Sequence, residues 1–210
     1  ENMGVIDRHK DHVIEVASAM FLEKGIKGVT LLEIAEKAEV GTASVYRYFL
    51  GKNTLIIESA IRLWEKRLSE LVEYYDKIRC YTGIEQLELL TRYYPKMVIG
   101  DERFSRFLIM LDALFMNDEF EQADRKRYDD IMLEFYKIFE LAYKAGRKDG
   151  TVREIDNFFD FYFASTQSIL GLWQKLSVRG NILSTDKERD EKIKILLDLM
   201  LNYYRGGSGE

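Results

Sequence analysis

Val29-Thr30-Leu31-Leu32-Glu33-Ile34 and, after a short interval, Thr42-Ala43-Ser44-Val45-Tyr46-Arg47-Tyr48-Phe49 are the two stretches whose punctuation decides the fold. Thr30 followed three residues later by Glu33 is a capping box, and Val29 with Ile34 can close a hydrophobic staple around it. A short helix therefore begins at Leu31, buries Ile34, Ala35 and Ala38, and stops near Glu39. A second short helix runs from about Thr42 to Phe49 and turns Val45 and Phe49 inward. Upstream, Val13, Val16, Ala17, Met20 and Phe21 recur at three- and four-residue steps between Asp7 and Lys24, the pattern of an amphipathic helix ending at Gly25. Downstream, Lys52 and Asn53 open a long fourth helix.

Two short helices joined by three or four residues and braced on a longer one form a helix-turn-helix. Its second member can lie in the major groove of DNA and offer its N-terminal residues to base edges. Here that member exposes Thr42, Ala43, Ser44, Tyr46, Arg47 and Tyr48. Hydroxyls and an arginine suit phosphate oxygens and base edges, and the Ala43 methyl suits a thymine methyl. Three capped helices of an ordinary bundle would show the same local pattern, so the residues alone leave both readings open.

Composition sets the frame without choosing between them. The chain has 210 residues, 47% hydrophobic and 13% aromatic, enough for a sizeable core. One proline, Pro95, and the lack of alternating β-branched runs point to an all-α fold. The single cysteine, Cys80, excludes an internal disulfide and suits a reducing compartment. With no membrane-length apolar run and no apolar leader, the expectation is a soluble, cytoplasmic protein. The net charge of −5 does not itself suggest DNA, but DNA binding needs only a local positive surface.

Three segments carry a family resemblance. They are Ala17-x3-Phe21-x3-Gly25, Thr30-x3-Ile34-Ala35-x2-Ala38-x-Val40, and Ser44-Val45-Tyr46-Arg47-Tyr48-Phe49-x2-Lys52-x2-Leu55. Together, over roughly Val13 to Leu55, they resemble the DNA-binding domain of the TetR family of regulators. The resemblance implies that Thr42, Ala43 and Tyr46 approach base edges, while Thr30, Ser44, Tyr48 and Lys52 hold phosphates. The chain departs from the family pattern in the turn, where Glu39 replaces a frequent glycine and Gly41 a serine-like cap, and at Leu32, a position that is often polar.

Beyond Lys52 the sequence reads as six helices: about Asn53–Arg79, Gly83–Ile99, Asp101–Met116, a long one reaching Lys148, Asp156–Val178 and Asp186–Tyr204. A helix-turn-helix domain over 1–52, a ligand-binding and dimerisation domain over 53–205 and a flexible tail over 206–210 are expected. The last two helices are apolar nearly all round, which calls for cover on two sides. Phe158, Phe161, Ile169 and Leu172, with Leu196, Leu197 and Met200, are therefore expected at a homodimer interface. Pairing would set two reading helices ~34 Å apart on a near-palindromic operator. Large adaptable side chains suggest an effector cavity: Trp64, Leu68, Phe104, Phe107, Leu108 and Leu111, then Phe115, Met132, Phe135, Phe163 and Gln167. The same stripe is also what plain core looks like.

His9 and His12, with Asp11 and Glu15 nearby, read as a solvated helix turn rather than a metal site, and no nucleophile elbow or phosphate loop is present. No enzyme activity, metal or cofactor is expected. The sequence points to a ligand-responsive transcriptional regulator, most simply a repressor released from double-stranded operator DNA by a small hydrophobic or aromatic effector. The alternatives are an activator of the same family, or a helical small-molecule-binding protein whose motif is degenerate.

Overall fold

The computed structural model describes residues 3–177 and 186–205. Among these residues there are nine α-helices, a 3-10 turn and no strand, as the all-α reading expects. The expected helix end at Val178 and the expected tail over 206–210 lie outside the described residues. No helix among the described residues is long and apolar enough to cross a membrane. The chain packs as two compact units, and the division does not fall at Lys52.

The first unit contains α1 (Met3–Lys24), a 3-10 turn (Ile26–Gly28), α2 (Leu31–Lys37), α3 (Thr42–Phe49) and α4 (Lys52–Ile78) as far as Leu68. It also takes in α6 (Glu102–Met116) and the start of α7 (Gln122–Asp149), to Met132. These later helices belong with the N-terminal ones because α1 packs on α6: the rings of Phe21 and Phe107 stack at 6.4 Å. The Met110 sulfur lies in van der Waals reach of a Cβ built on Gly25. Gly25 ends α1 with φ +77, a conformation that glycine adopts without strain. Val13, Ala17, Phe21, Ile34, Val45, Phe49 and Leu55 form the core of the helix-turn-helix, each at most 1% exposed.

The second unit contains the rest of α4, α5 (Gly83–Ile99), the rest of α7, α8 (Phe158–Ser177) and α9 (Asp186–Arg205). A second capping box starts α5: Glu85 accepts from the Thr82 backbone N–H at 2.9 Å and from its hydroxyl at 2.6 Å. The helices α5, α8 and α9 pack on one another around Leu87, Leu90, Ile169 and Leu201. Tyr136 and Tyr162 extend that interior as an aromatic cluster with Phe139, Phe158 and Phe163.

Candidate nucleic-acid interface

The capping box expected at α2 is present. The Glu33 N–H donates to Thr30 Oγ1 at 3.2 Å, and Glu33 Oε2 accepts from the Thr30 N–H at 2.8 Å. Both ends of the staple, Val29 and Ile34, are buried. The Thr30 hydroxyl donates to Glu33 Oε2 as well, at 2.8 Å, so its one proton is already committed within the cap. These bonds hold the Glu33 carboxyl below its ordinary value, first through the Thr30 side chain and then through its backbone. A phosphate contact by Thr30 therefore has to displace its own glutamate.

The turn takes its shape from Glu39, which adopts φ 55. A left-handed residue is what the turn needs, and the chain supplies it without the glycine that would adopt it freely. Gly41 then caps α3 through its carbonyl alone, with no side-chain cap, so no side chain satisfies the amides of the first turn of the reading helix. Leu50 closes α3 with φ 57 and stands 88% exposed.

Along α3, Val45 and Phe49 are buried while Ala43, Tyr46 and Arg47 face outward, with Thr42, Ser44 and Tyr48 half-buried beside them. Arg47 reaches Ser44 Oγ at 3.4 Å and lies over the Tyr48 ring at 5.5 Å. Its guanidinium is thus held along the helix with donors to spare. The α3 segment contributes no carboxylate. Lys52 opens α4; burial lowers its pKa, against the attraction of Glu33, so its ammonium sits near the start of α2. All eight residues expected at DNA belong to the first unit. Leu32 on α2, at the position that is often polar in the family pattern, is 54% exposed.

The expected effector-cavity residues divide between the units. Trp64, Leu68, Phe104, Phe107, Leu108, Leu111, Phe115 and Met132 belong to the first, and Phe135, Phe163 and Gln167 to the second. Within the first, Trp64 and Phe104 meet edge to face at 5.0 Å, and Phe104, Phe107, Leu108 and Leu111 are almost wholly covered. The Arg67 guanidinium lies 3.4 Å over the Phe104 ring. Phe135 is buried, Phe163 is half-buried and Gln167 is exposed.

The expected dimer residues differ in exposure. Phe158, Ile169, Leu197 and Met200 are buried within the chain's own second unit, at 8% exposure or less. Phe161, Leu172 and Leu196 are half-buried. The exposed apolar positions on α9 are instead Ile195 and Leu199, both 62% exposed, with Tyr203 at 41%. On α8, Ala164, Ser168 and Gly171 are exposed at three- and four-residue steps. A helix apolar all round had hidden which sector its own fold uses.

Asp11 and Glu15, expected beside His9 and His12 on a solvated turn, both bind Arg62 of α4 through their carboxylates. The sequence reading missed this arginine. Its partners lie 51 and 47 residues away, so no local pattern marks it.

An outward, acid-free helix following a capped helix and a tight turn defines a helix-turn-helix protein. Residues 13–59 match the family described as bacterial regulatory proteins, tetR family. The probable HTH-type transcriptional regulator YttP of Bacillus subtilis is 38% identical over 68 residues, covering 32% of this chain and 29% of YttP. The HTH-type transcriptional repressor KstR2 of Rhodococcus jostii is 23% identical over 195 residues, 90% of this chain and 89% of the relative. The structure of the transcriptional regulator FadR from Bacillus subtilis in complex with stearoyl-CoA superposes with a TM-score of 0.65 at 16% identity, covering 91% of this chain and 97% of FadR. That likeness is one of fold.

Proposed function

We propose that the protein is a sequence-specific DNA-binding transcriptional regulator, a homodimeric repressor released from its operator by a small, largely apolar effector. The observation that carries this reading is α3, whose buried edge is fixed by Val45 and Phe49 while Ala43, Tyr46 and Arg47 face outward. In this role Thr42, Ala43 and Tyr46 meet base edges, and Ser44, Arg47, Tyr48 and Lys52 meet phosphates. Thr30 joins them only if Glu33 releases its hydroxyl.

A second copy covers the exposed face of α8 and α9, where Ala164, Ser168 and Gly171 allow close approach beside Ile195 and Leu199. The two reading helices then address half-sites about one DNA turn, ~34 Å, apart. Release requires the effector to bind the DNA-incompetent state more tightly, and DNA must weaken effector binding by the same factor. The helix α4 runs unbroken from Lys52 to Ile78 and is the covalent route between the reading head and the remainder of the chain. The stearoyl-CoA bound by the FadR neighbour supports an apolar-tailed effector.

The test is selection of duplexes from a random pool by the purified protein, followed by competition with stearoyl-CoA. Enrichment of a near-palindrome and its release by the ligand are expected. A chain that enriches no sequence at low ionic strength is not a specific regulator, and one whose binding ignores every acyl-CoA offered has another effector class.

A further inference from the structure

The first unit contains a polar ladder whose rungs all meet on the first half of α4. The Arg62 guanidinium donates from Nη1 to Glu15 Oε1 at 2.6 Å and from Nη2 to Asp11 Oδ1 at 2.8 Å, while Nε lies 3.5 Å from Glu65. One turn before it, Glu58 accepts both terminal nitrogens of Arg127, at 2.8 and 2.9 Å. Asp124 stands 3.7 Å from the same arginine. Asn53, at the start of α4, donates to the Glu119 carbonyl at 3.0 Å. Of these groups Asp11, Glu58, Arg62, Glu65 and Arg127, with Lys10, Ile14 and Ile61, line a charged crevice of about 180 Å³.

Asp11 and Glu15 are four residues apart on α1, where like charges repel. They face one point because a cation sits there, and that cation belongs to the helix that begins at Lys52. A planar five-donor fork can serve three carboxylates at once, which a lysine cannot. The Asp11 and Glu15 side chains are exposed, at 62% and 59%, so the contact contributes little to global stability. It is well placed to fix direction instead, because α1 carries α2 and α3 as one packed head.

We infer that Arg62 is a positioning residue: by gripping Asp11 and Glu15 it sets the angle at which the reading head leaves α4, and so the spacing of half-sites that a dimer can address. This rests on the DNA-binding reading above. The head's core residues Val13, Phe21, Ile34 and Phe49 are buried and take no part in these ion pairs, so the head is expected to stay folded without them.

The experiment uses the full chain and two pools, one with paired half-sites at randomised spacing and one with a single half-site. For Arg62→Gln, the spacing preference is expected to broaden, and affinity for the wild-type duplex to fall by about tenfold, the scale of coupling between contacting groups. Affinity for the single half-site, and its salt slope, should stay as in wild type. Arg62→Lys should fall between the two. The Asp11→Asn, Glu15→Gln double variant should reproduce Arg62→Gln, and adding Arg62→Gln to it should cost nothing more. Retained spacing preference in Arg62→Gln overturns the inference. So does an equal loss on both pools, which would mark an ordinary folding defect. A wild-type chain that enriches neither pool overturns the DNA reading itself, and this inference with it.

Discussion

Gly83 and Gly146 meet backbone to backbone: a Cβ added to Gly83 would stand 1.9 Å from the Gly146 nitrogen. The same junction is bolted by polar contacts. The Gly83 N–H donates to Asp149 at 2.7 Å, and the Ile84 N–H to Thr151 Oγ1 at 3.1 Å. The start of α5 is thereby fixed to the end of α7. Gly83→Ala should destabilise the protein by about 3 kcal/mol, the upper end of ordinary overpacking. Urea unfolding followed by circular dichroism measures it, and a change below about 1 kcal/mol would mean the junction relaxes cheaply.

Glu39 and Leu50 hold left-handed conformations, φ 55 and φ 57, and both side chains are exposed. A side chain there costs roughly 1–2 kcal/mol in backbone strain, offset in part by the greater freedom glycine loses on folding. Glu39→Gly and Leu50→Gly should each raise stability by about 0.5–1 kcal/mol. Thermal melts would show it, and a lowered midpoint for either variant refutes the strain argument at that site.

The carboxyls of Glu33, Glu85 and Asp149 are all held below their ordinary values, chiefly by the hydroxyls of Thr30, Thr82 and Thr151 respectively. A depressed carboxyl contributes stability that is complete above its unfolded pKa and lost as pH falls through its folded one. The ordinary values are 4.5 for glutamate and 3.8 for aspartate, so the loss belongs below these. The melting temperature should fall as pH drops below about 4.5, and a Glu33→Gln, Glu85→Gln double variant should start lower and fall less steeply. Parallel curves for variant and wild type would show that the two caps do not titrate with folding.

On DNA, Lys52→Ala should weaken binding to every duplex and reduce the slope of log affinity against log salt by about 1, as one lost phosphate contact does. Thr42→Ala should leave that slope alone and change which sequences are enriched. If both variants act identically, the division into phosphate and base contacts is wrong.

For the paired chain, Leu199→Glu places a carboxylate on the exposed α9 face, 62% exposed in the single chain, and should leave the fold intact. Sedimentation should then report a monomer with lost operator affinity. A dimer that survives this change is built on another surface.

Local chemistry was legible around the reading helix, although the Thr82–Glu85 box went unread. The Thr30–Glu33 box and the limits of α3 follow from side-chain types at fixed offsets, and the structure reproduces them. The assignment of apolar faces was not. In α8 and α9 nearly every sector is apolar, so periodicity cannot say that Phe158, Ile169, Leu197 and Met200 face inward while Ile195 and Leu199 do not. The stripe of Phe104, Phe107, Leu108 and Leu111 likewise looks the same whether it lines a cavity or fills a core. Arg62 was invisible for another reason: its partners come from a helix some fifty residues earlier, and such ion pairs leave no period in the chain.

Tyr204 stands one residue before the end of α9, yet it is 1% exposed, with its ring among Phe158 and Phe161. Its carbonyl accepts from the Arg153 N–H at 3.0 Å. Trimming the chain back to Asn202 would therefore pull a plug from the aromatic interior and unpair an amide in one stroke. A nonsense lesion at Tyr203 should behave like a core deletion, while an insertion after Arg205 leaves that plug in place.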